Sequence, residues 1–156
     1  MITVAAIAYT DVKDQPALLA EYVAECANPV LGTPQPQWET YETMQASGIA
    51  QAFSVYLDEE PVGFSSLIAA VSPLYGVMVA TVDALFVTQK HRDTLAAARL
   101  LAAMEGTARA RGCKAIFYSS PAGSDMEAVL GKRYTRTNSA YCKPLCDVTA
   151  DAGGCQ

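Results

Sequence analysis

A long apolar run that passes through a short polar loop into a helix constrains the fold of this chain more than any other feature. The run covers residues 77–87 (VMVATVDALFV), and the loop covers residues 88–93 (TQKHRD). Apolar residues then recur at helical spacing at Ala97, Leu100, Leu101, Met104 and Ala108. A strand that enters a helix in this way directs several backbone N–H groups and the positive end of the helix dipole at one place, which favours an anionic ligand, most often phosphate.

Length and composition predict one globular domain. The chain has 156 residues, 51% of them apolar, which is enough for a domain with a substantial core. We assign residues 1–145 to this domain and expect the small and polar residues 146–156 to form a flexible tail. The start of the chain has no basic leader, and no apolar run is long and charge-free enough to span a bilayer, so we expect a protein without membrane contact.

Charge and cysteine spacing disfavour two further classes of function. The formal net charge is −5, whereas proteins that bind nucleic acid without sequence preference are usually basic, so a nucleic-acid partner is disfavoured. The five cysteines form no CxxC pair, and the one histidine, His91, is distant in sequence from Cys142 and Cys146. An odd number of cysteines without metal spacing predicts free thiols in a reducing cytoplasm and no metal site.

The remaining pattern predicts a mixed α/β fold. We predict strands at residues 2–8, 52–57, 62–71, 77–87, 114–119 and 134–145. We predict helices at residues 15–27, 38–47 and 124–132, besides the long helix that ends at Arg111. The order is therefore β-α-α-β-β-β-α-β-α-β. Short turns imply antiparallel pairs, whereas the strand–helix–strand unit of residues 77–119 implies a parallel pair, with residues 77–87 as a central strand covered on both faces.

Three segments carry a resemblance to a known family. They read LFVTQKHRDTLAAARLL (residues 85–101), RGCKAIFYSSP (residues 111–121) and LGKRYTRTNSAYCKPL (residues 130–145). In these segments and in its element order, the chain resembles the GCN5-related N-acetyltransferase (GNAT) superfamily over residues 2–145. Arg92 matches the first position of the family's Q/R-x-x-G-x-G/A motif and Ala97 the last, whereas Leu95 stands where the family has glycine.

The resemblance implies acetyl-CoA as the cofactor and assigns residues to it. In the family, backbone N–H groups of the loop and the helix start bind the pyrophosphate of coenzyme A. By resemblance, these N–H groups belong to Arg92, Asp93, Thr94, Leu95, Ala96, Ala97 and Ala98. The strand before the loop offers backbone groups to the pantetheine arm, here from Leu85, Phe86 and Val87.

Acetyl transfer to an amine needs a group that takes a proton from the ammonium and a group that protonates the leaving thiolate. Asp83 lies in the longest apolar run, where apolar neighbours would desolvate a carboxylate, so it is the predicted base or proton relay; alternatively it orients the amine or pairs with a cation. The family often places the acidic tyrosine on the helix before the last strand, but MEAVLGKR contains none. Tyr134 is the predicted acid, with Tyr118 and Tyr141 as alternatives, and each equally fits a groove-lining aromatic.

Taken with the resemblance, these residues predict an acetyl-CoA-dependent N-acetyltransferase. The acceptor would be a primary amine of a small molecule or peptide, attacking directly in a ternary complex. The alternative is a catalytically degenerate member of the fold that serves as a binding module, which Leu95 and the missing helix tyrosine suggest. A transferase that modifies a nucleobase or a nucleic-acid-bound protein is disfavoured by the acidic charge.

The acceptor is only coarsely constrained by the sequence. Residues 28–37, rich in proline, would shape its pocket together with Trp38 and Tyr41, because loops carry recognition. The acidic net charge favours a cationic acceptor. A homodimer through the last strand is common in the family, and this sequence neither requires nor excludes it.

Overall fold

A five-stranded sheet with the order β1-β2-β3-β4-β5 organises residues 1–145, the part of the chain that the computed structural model describes. The strands are β1 (Ile2–Ile7), β2 (Ala50–Leu57), β3 (Glu60–Ser72), β4 (Val77–Val87) and β5 (Ala115–Phe117). Neighbouring strands from β1 to β4 are antiparallel, and β4 and β5 are parallel. The predicted mixed sheet is confirmed. The tail predicted at residues 146–156 lies outside the described residues.

Helices cover both faces of the sheet. They are α1 (Tyr9–Lys13), α2 (Pro16–Glu25), α3 (Trp38–Ala46), α4 (Ala96–Ala110) and α5 (Asp125–Arg133). Helix α4 packs on one face through Leu100 and Met104, which are fully buried together with Leu67 of β3. Helices α1, α2 and α3 cover the other face, where Tyr9 and Leu18 are buried.

Helix α4 follows its sequence pattern closely. Its buried residues are Ala96, Leu100, Leu101, Met104 and Ala108, which recur every three or four positions and so face the sheet together. The helix ends before Gly112, whose φ of +74° is the left-handed conformation that glycine adopts readily after a helix. The predicted long helix and its stop are confirmed.

A β-bulge at Asp83 divides strand β4 into two parts. Leu67 of β3 pairs with Val82 and Ser66 pairs with Ala84, so Asp83 is an extra residue on β4. Side chains alternate between the two faces of a strand, so one extra residue shifts the alternation by one position. Beyond the bulge, the opposite set of positions therefore faces α4. Asp83 is exposed, so the expectation that β4 is covered along both faces is wrong at this position.

Two predicted elements differ from the structure. Residues 134–145 form no strand; this segment is exposed apart from the half-buried Tyr134. The reason is that its alternation sets polar residues against polar ones (Thr135, Thr137 and Ser139 against Arg136 and Asn138), which leaves no apolar face to bury. Conversely, helix α1 lies between the first predicted strand and the first predicted helix, where no helix was expected, and Tyr9 and Val12 of this helix bury their side chains under the sheet.

Candidate active site

Strands β4 and β5 separate, and this leaves part of β4 without a neighbour. The parallel pairing involves only Val79, Ala80 and Thr81, opposite Ala115, Ile116 and Phe117. Within residues 1–145, no strand pairs with that edge of β4 from Val82 to Val87. Apart from the Val87 carbonyl, which accepts a hydrogen bond from the Arg92 side chain, the backbone groups on this edge are therefore available to a ligand that lies along the strand.

The backbone of β4 alternates in direction along this open edge. The carbonyl oxygen of Phe86 faces β3, where a Cβ on Gly63 would come within 2.5 Å of it. The N–H of Thr88 also faces β3 and donates to the carbonyl of Val62 at 2.9 Å. By the alternation of a strand, the N–H and C=O groups of Leu85 and Val87 face away from β3, toward the gap. Phe86, the third residue predicted to contact pantetheine, directs its backbone into the sheet.

The loop after β4 leaves part of its amide groups free. Three of the seven amides predicted to bind pyrophosphate are hydrogen-bonded within the protein. Arg92 donates to the carbonyl of Gln89 at 3.4 Å, Thr94 donates to that of His91 at 3.2 Å, and Ala96 donates to the Thr94 hydroxyl at 3.2 Å. The other four have no acceptor among the described residues and belong to Asp93, Leu95, Ala97 and Ala98. Since Leu95 at the helix N-terminus has no capping side chain, the positive end of α4 is open to an anion.

Leu95 and Asp93 are the two departures from the family motif in this loop. Leu95 has a φ of −79°, so its backbone does not require glycine, and its side chain is 62% exposed. Asp93 is exposed and makes no hydrogen bond or ion pair among the described residues. Neither side chain occupies the free amides, although the Asp93 carboxylate adds negative charge beside them.

The side chain of Arg92 turns back toward the sheet and α2. Its Nε donates to the carbonyl of Val87 at 2.9 Å, and its guanidinium lies over the ring of Phe86, 5.6 Å from the ring centre. Its terminal nitrogen pairs with the carboxylate of Glu25 on α2. Arg92 thus fixes the loop by its side chain, a role that the motif alone did not indicate.

Helix α2 holds the same loop at a second point. The backbone N–H of Gln89 donates to a carboxylate oxygen of Glu21 at 2.7 Å. Glu21 and Glu25 are four residues apart, so they extend from the same side of α2. The sequence shows this four-residue spacing, but no local pattern indicates that this side of α2 contacts the loop.

Asp83, the predicted base, lies at the bulge and is bound on one side. Its Oδ2 accepts a hydrogen bond from the hydroxyl of Tyr41 on α3. Burial and this contact with a carboxylate raise the pKa of Tyr41, so the tyrosine stays a neutral donor. The other carboxylate oxygen has no partner among the described residues and is free to meet a substrate.

A second tyrosine fixes the position of Tyr41. The rings of Tyr9 and Tyr41 are stacked, with centres 4.7 Å apart and planes inclined by 20°. The hydroxyl of Tyr9 is 2.7 Å from that of Ser66, and both residues are buried. Burial raises the pKa of Tyr9, while the hydrogen bond to Ser66 lowers it in part. Sequence reasoning missed Tyr9 and Ser66, because their contact joins residues 57 positions apart.

A cavity of about 380 Å³ opens in front of Asp83. Helices α2 and α3, the proline-rich loop between them and strands β3 and β4 form its wall. The residues that line it are Tyr22, Pro34, Gln35, Pro36, Gln37, Thr40, Tyr41, Met44, Ile68 and Asp83. The expectation that residues 28–37, Trp38 and Tyr41 shape a pocket agrees with this lining for residues 34–37 and Tyr41, whereas residues 28–33 and Trp38 do not line this cavity.

Tyr134, the predicted acid, belongs to a separate cluster. Its hydroxyl donates to the carboxylate of Glu105 on α4, which also accepts from Tyr118 at 3.1 Å. The rings of Tyr118 and Tyr134 are stacked 4.8 Å apart. Burial raises the pKa of both tyrosines, and the Glu105 carboxylate adds to the effect. Tyr141, the other alternative, is 94% exposed.

The sheet separates the two residues predicted to be catalytic. Asp83 is bound to Tyr41 on the α1–α3 face, whereas Tyr134 is bound to Glu105 on the α4 face. Strands β4 and β5 pair over only three residues each between these two faces. Their catalytic roles stay predictions.

Residues 1–145 show neither a metal-binding cluster nor a membrane-spanning helix. That part of the chain contains no group of three or more His, Cys, Asp or Glu side chains placed to hold a metal ion. It also contains no helix long and apolar enough to cross a membrane.

Known proteins resemble this chain in sequence and in fold. The model of the acetyltransferase (GNAT) family matches residues 17–128. No curated protein matches the chain. A ribosomal-protein-alanine N-acetyltransferase from Brucella melitensis biovar Abortus 2308 superposes with a TM-score of 0.70 at 21% identity, over 92% of this chain and 98% of that one. An aminoglycoside acetyltransferase from an uncultured soil metagenomic sample gives 0.74 at 17% identity, over 94% and 99%.

The two kinds of comparison carry different weight. The solved structures are less than 25% identical to this chain, so they establish a shared fold. The family model covers most of the chain and includes the strand, loop and helix described above. The chain belongs to the acetyltransferase (GNAT) family.

Proposed function

We propose that the protein is an acetyl-CoA-dependent N-acetyltransferase that acts on a primary amine of a small molecule or peptide. Membership of the family supports acetyl transfer in general. The observation that carries the proposal is the position of Asp83 on the same strand that ends in the loop with free amides. One strand thereby connects an anion site to a cavity with a carboxylate at its end.

The free amides fit the diphosphate of coenzyme A. Leu95, Ala97 and Ala98 offer N–H groups at the positive end of α4, without a competing acceptor among the described residues. Leu85 offers its N–H and C=O groups and Val87 its N–H group along the open edge of β4, where an extended pantetheine arm would lie as an added strand does. When bound, acetyl-CoA would supply an activated acetyl carbonyl.

Asp83 would prepare the acceptor amine. An alkyl ammonium is charged at neutral pH and carries no lone pair, so it must lose a proton before it attacks. The Asp83 carboxylate attracts the ammonium, and its free oxygen accepts that proton, directly or through a water molecule. Tyr41 holds the other oxygen, which fixes the direction of the carboxylate. The neutral amine then attacks directly, with both substrates bound.

Tyr134 remains the proposed acid for the leaving thiolate. A phenol is protonated at neutral pH, as an acid must be before it donates, and burial raises the pKa of Tyr134 further. The hydroxyl donates to Glu105 in this structure, so it must turn from that carboxylate to serve the thiolate. Tyr118 binds the same carboxylate and is the alternative donor.

Acceptors of the solved relatives agree with an amine substrate. The relatives are named for a ribosomal-protein alanine and for aminoglycosides, both of which carry primary amines. Isothermal titration with acetyl-CoA, followed by an assay of thiol release in the presence of amines, tests the proposal. We expect saturable binding and amine-dependent release; no binding at millimolar acetyl-CoA would refute it.

A second candidate function is an inactive member of the family that serves as a binding module. The exposed Leu95 side chain beside the free amides and the separation of Tyr134 from Asp83 favour it. The same two measurements distinguish the candidates. A folded protein that binds acetyl-CoA and releases no thiol with any amine supports the binding module.

A further inference from the structure

We propose that the acceptor is a primary amine that carries a single positive charge on an apolar body and has no carboxylate. This inference rests on the proposed function, since it assigns the substrate class of the same cavity. It concerns the charge balance of the cavity wall, which family membership leaves open. Three features of the wall carry it: its charge, its apolar surface and its size.

The cavity wall offers one charge. Among the described lining residues, Asp83 is the single charged group, and Gln35, Gln37 and Thr40 contribute neutral polar groups. The nearby guanidinium of Arg111 donates instead to the carbonyl of Gly48 at 3.1 Å. An acceptor with one ammonium group is therefore matched by one carboxylate, whereas an α-carboxylate would enter the cavity without a cation to bind it.

The same balance disfavours polycations. A polyamine or an aminoglycoside would place several ammonium groups against one carboxylate, so only one of its charges would gain an ion pair in the cavity. The net charge of the chain attracts cations at long range, but it does not provide partners inside the cavity. Specificity is decided by the contacts in the cavity rather than by the overall charge.

Apart from Asp83 and the three neutral polar residues, the wall is apolar and aromatic. Tyr22 and Tyr41 contribute ring surface, and Met44 and Ile68 contribute aliphatic surface. Tyr41 is held in place by its stack on Tyr9, so its ring is a rigid wall. Rigid aromatic surface binds an apolar body well, because little side-chain freedom is lost on contact.

The volume limits the size of that body. A cavity of about 380 Å³ is near the lower end of ligand sites, which span about 300–1,000 Å³. It suits one ring with a short aminoalkyl chain better than an oligosaccharide. The Asp83 carboxylate, which the Tyr41 hydroxyl holds on one side, would attract the ammonium, and the apolar body would lie against the rings.

Phenethylamine and phenylalanine form a matched pair that tests the inference, since they differ only by the carboxylate. We measure kcat/KM for both, and for spermine, with saturating acetyl-CoA. The expected ratio favours phenethylamine by at least about tenfold over each of the other two. Equal or better turnover of phenylalanine or spermine would overturn the inference while leaving the proposed function intact.

A charge placed in the wall provides the complementary test. Gln35 is exposed and lines the cavity, so Gln35→Arg adds a partner for a carboxylate at little cost to folding. It should reduce the preference for phenethylamine over phenylalanine by at least about threefold. Thr33→Arg makes the same charge change on a neighbouring exposed residue outside the lining and should leave the ratio unchanged. A ratio that Gln35→Arg does not alter would contradict the inference.

If no amine is acetylated, titration calorimetry shows whether the inference alone fails or the proposed function fails with it. Acetyl-CoA binding without phenethylamine binding would overturn the inference alone. Absence of acetyl-CoA binding would overturn the proposed function and the inference together. Binding of phenethylamine in preference to phenylalanine, with coenzyme A present, would support the inference independently of turnover.

Discussion

The guanidinium of Arg92 pairs with the carboxylate of Glu25, which ties the loop before α4 to helix α2. The two side chains are 46% and 35% exposed, and an ion pair of this kind contributes about 0–1 kcal/mol to stability. The ion pair matters mainly because it fixes the position of the arginine, which also binds the Val87 carbonyl at the end of β4. Arg92 therefore positions the loop whose free amides face the proposed diphosphate site.

Replacing Arg92 by glutamate should weaken acetyl-CoA binding by at least about tenfold. The substitution removes the contacts to Val87 and Glu25, and it places a second carboxylate beside Glu25, close to an anionic ligand. Titration calorimetry measures the effect. Arg109→Glu is the control, because it makes the same charge change on an exposed residue at the far end of α4, about 20 Å away. Equal affinities of wild type and Arg92→Glu would place the diphosphate elsewhere.

Replacing Asp83 by asparagine should reduce kcat by about a hundredfold or more, since a proton acceptor is lost while the shape is kept. Acetyl-CoA affinity should remain within about twofold, because Asp83 lies at the bulge, away from the loop amides. Tyr41→Phe removes the hydrogen bond to Asp83 and keeps the ring, so it should cost only about three- to tenfold. An Asp83→Asn variant with full activity would exclude the carboxylate as base or relay.

Gly63 on β3 should tolerate no side chain. An added Cβ would lie 2.5 Å from the Phe86 carbonyl oxygen and 3.0 Å from Val87, so the end of β4 would have to move. We expect Gly63→Ala to lower the free energy of unfolding by about 1–3 kcal/mol in urea titrations. Gly106→Ala, at an exposed position of helix α4 with open space around it, should instead raise it by about 0.5–1 kcal/mol. A neutral Gly63→Ala would mean that β3 and β4 are not packed as described.

The stacked tyrosines predict a loss of stability in alkali. Burial raises the pKa of Tyr118 above its ordinary value near 10, and the neighbouring Tyr134 and Glu105 raise it further. The unfolded chain therefore releases this proton first, so the stabilising contribution is complete below about pH 10 and is lost as pH rises through the folded-state value. Thermal unfolding between neutral pH and about pH 11 measures the decline. Tyr118→Phe should make the decline of thermal stability with pH less steep. A decline as steep as that of the wild type would contradict the assignment of this effect to Tyr118.

Much of the architecture could be predicted because its signals are local. Helix α4 is specified by residues three and four apart, and β4 by one long run that is apolar except at Thr81 and Asp83. The loop between them was predicted as an anion site from the order of elements alone. The structure keeps that arrangement and leaves four of the seven expected amides without an acceptor in the described residues.

The details of the candidate site depend on contacts between distant residues. Arg92 meets Glu25 across 67 positions, and Asp83 meets Tyr41 across 42. No periodic pattern reports such pairs. The bulge at Asp83 is also invisible in the sequence, because the apolar run continues on both sides of it; the bulge turns an expected buried carboxylate into an exposed one.

The prediction of a last strand is wrong because a local pattern was not matched by apolar surface that the strand could bury. Residues 134–145 alternate in a way that suits a strand locally, but the alternation produces no apolar face to bury, and they remain largely exposed in the structure. Tyr134 is the exception: it packs on Tyr118 and binds Glu105. The predicted acid, Tyr134, therefore lies directly after helix α5 and does not begin a strand.

The central claim is that the amides at the start of α4 bind a diphosphate, and amide NMR of the labelled protein tests it most directly. Titration with coenzyme A should shift the N–H signals of Leu95, Ala97 and Ala98. Pantetheine, which lacks the diphosphate, should leave these three signals unmoved and shift those of Leu85 and Val87. Saturation with coenzyme A that shifts other residues and leaves Leu95, Ala97 and Ala98 in place would contradict the account.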